Sequence, residues 1–342
     1  MILSFDFVIF VKTKKIMSRL RVGICSSLTA SVLQKLQSVG VVNVVDFVSH
    51  DLDVLATKSG VGYRELAAIR RALISQYAAP IVSGFSLFDV VVATTSFISV
   101  GCRVLDALLE GGILSSEITE VVMDRSGALD VLVINTVAAV VAAMKKNVVF
   151  IDTSNRFNVS HIAAMLSRQP GVDLESALQQ VRVVKCFDVL ELLGELSMLC
   201  QAPGPFYSSL KLIVIDGIMD CILPPLSHLP NNTGCGYVAQ LIHLLRQLIT
   251  DSCYAVLLCT GDGCAVTSKN SATPRLTSVS RLWHSVPDTR LNVVDISVES
   301  NEHDGADNPA ASRLIKVTVE KSNRLQFGQS VELAVNEHGL FV

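Results

Sequence analysis

The spacing of hydrophobic residues changes near residue 80 and divides the chain into two parts. Between residues 28 and 77, apolar side chains recur every three to four positions, which places them on one face of a helix. Thr29, Ser49 and Asp51 are the expected N-caps, and Gly40 is an expected helix end. The pattern predicts a small bundle of short helices.

The last two of these helices are joined by the glycine turn Ser59-Gly60-Val61-Gly62. Helix-hairpin-helix modules use turns of this kind to direct backbone amides toward a phosphate. A plain connection between two helices fits the same residues equally well. A DNA contact at this turn is therefore one of two interpretations.

Residues 78–95 break the helical pattern and are interpreted as a linker. Beyond them, short runs rich in Val and Ile alternate with longer helical ones, which is typical of parallel strands buried on both faces. We predict an α/β domain with a mostly parallel sheet, in which ligands bind beyond the carboxyl ends of the strands. The segments, in chain order, are 117–122, 131–144, 147–152, 159–166, 181–186, 189–199, 210–216, 238–250, 254–260, 290–298 and 314–320.

Composition limits the classes of function. Half of the 342 residues are hydrophobic and only 17% are charged, which suits a folded chain of two domains. The net charge of −3 excludes the broad basic surface of a protein that binds nucleic acid by charge alone. Any DNA contact must then be local or shared with partners.

The nine cysteines include no Cys-x-x-Cys pair and are interpreted as buried thiols in a reducing compartment. No metal site is expected, because the nearest candidate group lacks the tight paired spacing of zinc ligands. That group consists of His228, Cys235, Cys253, Cys259 and Cys264.

No membrane segment is expected, since the apolar run 131–144 is shorter than the about 20 residues that span a bilayer. Residues 1–16 are apolar and then basic, the reverse of a secretory signal. They are interpreted as a leader or as a misassigned start upstream of Met17.

The segment 210–216 is an apolar run that ends in Asp216. Nucleotide hydrolases end their Walker B strand in this way, and the carboxylate holds a magnesium ion or its water. Buried strands also end in Asp where the side chain caps the next element. Asp216 is therefore either a candidate magnesium ligand or a structural cap.

Several stretches, in order, resemble the D-type paralogues of the eukaryotic Rad-fifty-one recombinases. The most specific are GCRVLDALLEGG and SSEITEV, followed by NVVFIDTSNRFNVSHIAAML, LKLIVIDG, SRLWHSVPDTRL and VEKSNR. The resemblance implies a helical N-terminal domain over 17–77, a linker over 78–95 and a RecA-like P-loop ATPase core over 96–342, in which Trp283 is interpreted as core packing. It also implies a nuclear protein of DNA repair by homologous recombination.

In this family the phosphate loop GxxxxGK[ST] directly follows the strand that corresponds to 117–122. Here Met123 and Ala128 replace its glycines, Leu129 replaces its lysine, and Asp130 replaces the hydroxyl that binds magnesium. The glycines of the family loop let backbone amides converge on the phosphates, and its lysine adds a positive charge. Because both are replaced, the loop is expected not to bind ATP. The eight positions are Met123, Asp124, Arg125, Ser126, Gly127, Ala128, Leu129 and Asp130.

Two side chains of this loop leave alternatives open. Asp130 at about 4 Å from a phosphate would add repulsion of on the order of 4 kcal/mol at an effective dielectric constant near 20. It could instead turn outward and cap the following helix. Arg125 is a candidate for a substitute positive charge.

A second departure from the family follows the strand that ends at Asp152. Active members have Thr-Glu-Gly there, and the glutamate orients the attacking water, whereas this chain has Thr153-Ser154-Asn155. Serine cannot act as that base. No catalytic residue and no cofactor is therefore expected, and ATP with Mg²⁺ belongs to an alternative with an atypical nucleotide site.

The resemblance also suggests where other molecules would bind. Lys321 and Arg324 could reach the nucleotide of a neighbouring subunit in trans, or form a solvated basic turn. The DNA-facing loops of RecA-like proteins match 224–237, which has no cation, and 262–280. The second loop offers Lys269, Arg275 and, just beyond it, Arg281 as candidate contacts to single-stranded DNA.

The leading hypothesis is a recombinase-paralogue subunit that scaffolds a paralogue complex and assists recombinase loading on single-stranded DNA, without ATP hydrolysis of its own. By resemblance, its partners are paralogues of the C type and of the X-ray-cross-complementing type, and single-stranded or branched DNA. Two alternatives are a DNA-dependent ATPase with an atypical nucleotide site and a DNA-structure-binding module that acts through the N-terminal domain.

Overall fold

The computed structural model describes residues 19–77, 83–123, 136–137, 140, 145–167, 171–201, 204–228, 233–261, 282–296, 313–336 and 339–341. The chain forms two compact units, Met1–Val92 and Ala93–Val342. The boundary between them falls within the segment that the sequence predicts as a linker.

The predicted helical bundle makes up most of the first unit. It consists of α1 (Ala30–Ser38), α2 (Val44–Ser49), α3 (Leu52–Ser59) and α4 (Tyr63–Tyr77). The apolar faces of these helices meet in one core. The fully buried side chains of this core include Leu36, Phe47, Leu66, Ile69 and Leu73.

Two of the three predicted caps are confirmed. The side chain of Thr29 accepts a hydrogen bond from the backbone amide of Val32 in α1, and that of Asp51 accepts one from the backbone amide of Asp53 in α3. The prediction for Ser49 is wrong, because Ser49 is the last residue of α2 and Asp51 lies at the start of the next helix. α2 itself begins at a capping box of Asn43 and Asp46, which the sequence analysis missed.

The predicted linker contains a further helix, α5 (Gly84–Thr94). No residue of α5 is buried, although the helix is mostly apolar. The helix therefore lacks the separate apolar and polar faces of an amphipathic helix, and the spacing of hydrophobic residues does not predict it.

The second unit alternates strands and helices, as the sequence predicts. Its strands are β1 (Phe97–Ile98), β2 (Ile113–Leu114), β3 (Ile118–Met123), β4 (Asn147–Asp152), β5 (Val181–Lys185), β6 (Leu210–Asp216), β7 (Ala255–Gly261), β8 (Thr289–Asp295), β9 (Arg313–Lys321), β10 (Ser330–Asn336) and β11 (Gly339–Phe341). Its helices are α6 (Arg103–Leu108), α7 (Val159–Leu166), α8 (Leu174–Gln179), α9 (Val189–Leu199), α10 (Pro205–Ser208), α11 (Ile218–His228) and α12 (Thr233–Asp251).

Within the described residues, nine of these strands form one sheet in the order β11-β10-β9-β8-β3-β7-β6-β4-β5. The strands from β8 to β5 in this order run parallel, and β9, β10 and β11 are antiparallel additions. The mostly parallel sheet is therefore confirmed. Alternate side chains of one strand enter two separate cores: Val148 and Phe150 of β4 enter one, and Val149 and Ile151 enter the other.

None of the described helices is long and apolar enough to cross a membrane. In the apolar run 131–144 the structure describes Thr136, Val137 and Val140, which are helical and buried.

A tight turn between α6 and β2 depends on two glycines. Gly111 and Gly112 have φ values of +120° and +116°, a range that side chains rarely tolerate. A Cβ atom on Gly112 would lie 2.2 Å from the carbonyl oxygen of Ile98, which belongs to β1. Glycine therefore lets β1 pass close enough to form its antiparallel pair with β2.

We expect Gly112→Ala to lower the free energy of unfolding of the second unit by about 2 kcal/mol, because the added Cβ collides with a main-chain oxygen and strains the backbone. Gly194→Ala is the matched control, since Gly194 lies within α9 with open space at its Cβ position. Alanine there should raise the same free energy by up to about 1 kcal/mol. Urea unfolding followed by circular dichroism measures both variants, and equal effects would contradict this account.

Candidate functional site

The carboxyl ends of β4 and β6 lie side by side at the edge of the sheet where this class of fold binds ligands. Strand pairing brings Asp152 and Asp216 into register. Both residues are buried, with 0% and 5% of their surface exposed. Two carboxylates removed from water at one point of the sheet need hydrogen bonds and counter-charges.

Asp152 organises the loop that follows β4. Its carboxylate accepts hydrogen bonds from the backbone amides of Ser154 at 3.1 Å, Arg156 at 3.2 Å and Phe157 at 3.2 Å. These bonds fix the backbone of residues 153–157, and they commit both oxygens of Asp152 to a structural role.

Thr153 ties the same loop to β6. Its hydroxyl lies 2.7 Å from the carbonyl oxygens of both Asp216 and Gly217, and can donate to either. Gly217 has a φ of +75°, and a Cβ atom there would lie 2.9 Å from the Thr153 hydroxyl. The close approach of the two strand ends thus depends on glycine at position 217.

Asp216 is paired with an arginine of the same loop. Nη2 of Arg156 lies 2.9 Å from Oδ1 of Asp216, and the Ser154 hydroxyl lies 3.2 Å from Oδ2. Nε of Arg156 also donates to the Ser154 hydroxyl at 2.8 Å. The Asp216 side chain is 7% exposed and that of Arg156 is 43% exposed. A guanidinium group of the chain itself therefore compensates the carboxylate that the sequence suggests as a magnesium ligand.

The position of the water-orienting glutamate is filled by groups that have no base function. Ser154 takes part in the hydrogen bonds with Asp216 and Arg156 described above. Asn155 adopts a left-handed conformation with a φ of +58°, and its side-chain oxygen accepts a hydrogen bond from Lys185 Nζ at 2.7 Å. In residues 153–157 no carboxyl group is present that could activate water.

The segment that the sequence predicts to be a degenerate phosphate loop begins with Met123, at the end of β3. Met123 is buried at 2% exposure and packs in the core. Residues 124–130 lie outside the described residues, so the structure does not bear on the side chains of Asp124 to Asp130. Register places Met123 beside Gly261 of β7 and Val293 of β8.

A buried network of polar side chains lies in the centre of the sheet and joins β3, β7 and β8. Glu120 of β3 is completely buried and accepts a hydrogen bond from Nε of Arg290 at 2.6 Å. It also accepts hydrogen bonds from the indole of Trp283 at 2.9 Å and from the Thr260 hydroxyl at 3.2 Å. The interpretation of Trp283 as core packing is confirmed, since 1% of its surface is exposed.

Glu120 was not predicted as a functional or structural residue, although the sequence carries one signal for it. It is the only charged residue of the strand Ile118–Met123, whose other side chains are apolar apart from Thr119, and a charge in a strand that is buried on both faces needs a partner. The partner itself is 170 residues away in the sequence, so its identity could not be predicted.

Lys321 extends this network to the amino end of β8. Its Nζ donates to the carbonyl oxygens of His284 at 3.0 Å and Pro287 at 2.5 Å. The side chain of His284 contacts Nη1 of Arg290. Burial, followed by the charges of Arg290 and other neighbours, lowers the pKa of both Lys321 and His284.

Arg324 binds the glycine turn between α6 and β2. Its guanidinium group donates to the carbonyl oxygens of Leu109 at 2.6 Å and Gly112 at 2.8 Å, and to Glu117 at 3.4 Å. The Phe97 ring lies 5.7 Å from the guanidinium carbon. Burial raises the pKa of Glu117, and the Arg324 charge opposes that shift.

The candidate DNA contacts are only partly described. Lys269, Arg275 and Arg281 lie outside the described residues. Most of the other candidate loop is helical, because residues 224–228 end α11 and residues 233–237 begin α12. In the glycine turn of the first unit, the Gly60 amide donates to Ala56 and the Val61 amide donates to the Ser59 hydroxyl, so neither points to a phosphate.

The described cysteines are free thiols, and several of them are buried. Burial raises the pKa of Cys186 to about 12 and that of Cys221 to about 11, so both thiols are unreactive at neutral pH. In the part of the chain that the structure describes, no three His, Cys, Asp or Glu side chains are grouped as a metal site would require.

Each of the two units contains a segment that matches the model of a known protein family. The model of the RAD51D N-terminal domain matches residues 17–76, and that of the Rad51 family matches residues 93–258. The chain is 32% identical over 281 residues to DNA repair protein RAD51 homolog 4 of Bos taurus, covering 80% of this chain and 85% of the relative. The protein of the same name from Mus musculus is 27% identical over 281 residues, covering 80% of this chain and 84% of the relative.

Among solved structures, the RadB recombinase superposes with a TM-score of 0.55 at 16% identity. The match covers 71% of this chain and 98% of that protein. This likeness shows the fold alone, a RecA-like recombinase core. The identity to the bovine protein and the two matching family models show that the chain belongs to the Rad51 recombinase family, in its RAD51D (RAD51 homolog 4) branch.

Proposed function

We propose that this protein acts in DNA repair by homologous recombination as a recombinase-paralogue subunit in the nucleus. It scaffolds a complex of paralogues and assists the loading of a recombinase on single-stranded DNA, without hydrolysing ATP itself. Membership of the RAD51D branch and the names of the relatives, which are DNA repair proteins, support the repair role. The observation that carries the loss of hydrolysis is the ion pair of Arg156 with Asp216, beside a serine in place of the water-orienting glutamate.

The residues of the site do not fit a magnesium nucleotide. A magnesium ion at Asp216 would meet the positive charge of Arg156, which lies 2.9 Å from the carboxylate. The loop sequence offers no lysine and only one glycine for the phosphates, and places Asp130 at the position of the magnesium-binding hydroxyl. Electrostatics and backbone chemistry therefore both disfavour nucleotide binding.

The apolar surface of α5 supports assembly with a partner protein. Phe85, Leu87, Phe88, Val91 and Val92 are between 47% and 76% exposed. Soluble proteins seldom leave so many large apolar side chains together in water unless another surface covers them. We propose that α5 docks a second recombinase paralogue, of the C type or of the X-ray-cross-complementing type.

Charge supports a DNA contact in the first unit. Residues 19–77 include seven Arg and Lys but only four Asp and Glu, although the whole chain has a net charge of −3. The cations of this segment are Arg19, Arg21, Lys35, Lys58, Arg64, Arg70 and Arg71. A locally positive unit in a negative chain can bind the DNA backbone modestly while the rest of the chain does not.

We also propose that Lys321 and Arg324 serve the fold of their own chain. Both donate hydrogen bonds to main-chain carbonyl oxygens of neighbouring loops and are only partly exposed. Reaching a neighbouring subunit would break these bonds and leave several carbonyl oxygens without their donors.

The purified chain is expected to show no saturable binding of a fluorescent ATP analogue with Mg²⁺ at micromolar concentrations, because residues 123–130 include no lysine and Asp216 is already paired with Arg156. Fluorescence anisotropy measures the binding, and an active Rad51-family ATPase serves as positive control. Micromolar binding that Asp216→Ala abolishes would favour the alternative of an atypical nucleotide site.

The double substitution Phe85→Ser/Phe88→Ser is expected to weaken the capture of a purified partner paralogue by at least about tenfold, because aromatic side chains dominate interface energies. The melting temperature of the chain should change little, since both side chains are exposed. Asp89→Asn, on the same exposed helix, is the matched control and should bind as the unaltered chain does. Unchanged capture by the double variant would exclude α5 as the docking surface.

Arg324→Ala is expected to lower the free energy of unfolding by about 1 to 3 kcal/mol, because two carbonyl oxygens lose their donor. The loss should shrink at acid pH, because the Arg324 charge opposes the burial that raises the pKa of Glu117. Without Arg324 this pKa should rise further, so the ionised carboxylate destabilises the folded state at neutral pH and the protonated one at acid pH does not. Lys321→Ala should be destabilising in the same direction, and Lys316→Ala on the same strand is the control. Chemical unfolding at several pH values measures these effects.

The same variants test the role in trans. In an intact complex with a partner paralogue, neither substitution should change DNA-stimulated ATP hydrolysis by more than a small factor. A fall of about 10³-fold or more with assembly unchanged is the signature of an arginine finger, and would contradict the structural role.

A further inference from the structure

The pairing of Arg156 with Asp216 has a consequence for how this core is stabilised. In an ATPase of this fold, the carboxylate at the end of the Walker B strand faces a bound cation. In this chain the carboxylate is as buried as such a role requires, with 7% of the side chain exposed, but a cation of the protein lies beside it.

The loop holds Arg156 in this position from several sides. The backbone amide of Arg156 is bound by Asp152, and its Nε is bound by Ser154. The residue before it adopts a left-handed conformation and is anchored by Lys185. The guanidinium group is therefore directed at Asp216 by its own loop and loses little further conformational freedom on pairing.

We propose that Arg156 has taken over from the metal ion as the counter-charge of Asp216, so that the core folds and remains folded without a magnesium nucleotide. This inference rests on the proposed function, in which Asp216 takes no part in hydrolysis. It assigns Arg156 as a positioning residue that joins the ends of β4 and β6 across the former nucleotide site. It also means that restoring the phosphate loop alone would leave a positive charge where the metal must bind.

Removing the guanidinium should expose the dependence on a cation. In Arg156→Ala, Asp216 stays buried but loses its charged partner, which is a strongly destabilising change. We expect the melting temperature of the full chain, measured without nucleotide, to fall by about 5 °C. Millimolar Mg²⁺ should restore part of that fall, because Asp216 and Ser154 then offer oxygen ligands without the Arg156 charge beside them. The unaltered chain should show no such response to Mg²⁺ beyond that to an equal ionic strength of NaCl.

A double-mutant cycle separates the ion pair from other effects of the substitution. Asp216→Asn alone should cost less than Arg156→Ala, since the arginine left behind is 43% exposed and remains hydrated. Arg156→Ala/Asp216→Asn should melt above Arg156→Ala and lose the response to Mg²⁺, because the buried charge is gone. Arg156→Lys should lie between the unaltered chain and Arg156→Ala. Arg103→Ala, at an exposed arginine of α6, is the matched control and should melt as the unaltered chain does.

Three results would overturn the proposal: an unchanged melting temperature of Arg156→Ala, no stabilisation of Arg156→Ala by Mg²⁺, or a double variant no more stable than Arg156→Ala. If Arg156→Ala fails to fold, the double variant still decides, because it should fold when the unpaired charge is the cause. These measurements use neither nucleotide nor partner. Their outcome is therefore separate from the ATP titration and the partner capture that test the proposed function.

Discussion

A carboxylate that is completely removed from water must be matched by donors and a positive charge, and the centre of this sheet is built around one such group. Glu120 lies in the middle of β3 with no exposed surface. Its partners come from β7, from β8 and from the segment that precedes β8. Since removal of one partner of a buried ion pair typically costs 3–5 kcal/mol, the arrangement fixes how these elements meet.

The same constraint acts at the carboxyl edge of the sheet, with a different solution. At Glu120 the counter-charge is a residue of a neighbouring strand, so the pairing of strands supplies it directly. At Asp216 the counter-charge comes from the loop after β4, the loop that in active relatives carries the water-orienting glutamate. Under the proposed function, the loss of catalysis and the compensation of Asp216 involve the same five residues, 153–157, because Ser154 and Arg156 of this loop both contact Asp216.

The sequence predicts the framework well and the pairings poorly, for a physical reason. Continuous Val and Ile runs predict the parallel sheet, because burial on both faces leaves few alternatives. The same runs predict that Asp216 ends a buried strand. Arg156 carries no comparable signal, since an arginine in a polar loop is ordinarily solvated and its partner is 60 residues away. α5 is missed for the opposite reason: none of its residues is buried in the part of the chain that the structure describes, so its sequence lacks the pattern of an amphipathic helix.

Lys321 and Arg324 make contacts within their own chain that do not depend on nucleotide chemistry. Strand β9 runs antiparallel to β8, and Lys321 pairs with Arg290 near the amino end of β8. Because β8 runs parallel to β3, both cations lie toward the amino ends of the parallel strands, at the edge opposite Asp216. There they hold the turn at Gly112 and the loop before β8, contacts that need no nucleotide. Residues that stabilise the fold are needed by every subunit that binds partners through this domain. Phosphate-binding residues are needed only by a subunit that binds ATP. The proposed scaffold role therefore predicts a chain that keeps the first set and can do without the second, which agrees with the contacts of Lys321 and Arg324 and with the sequence of residues 123–130.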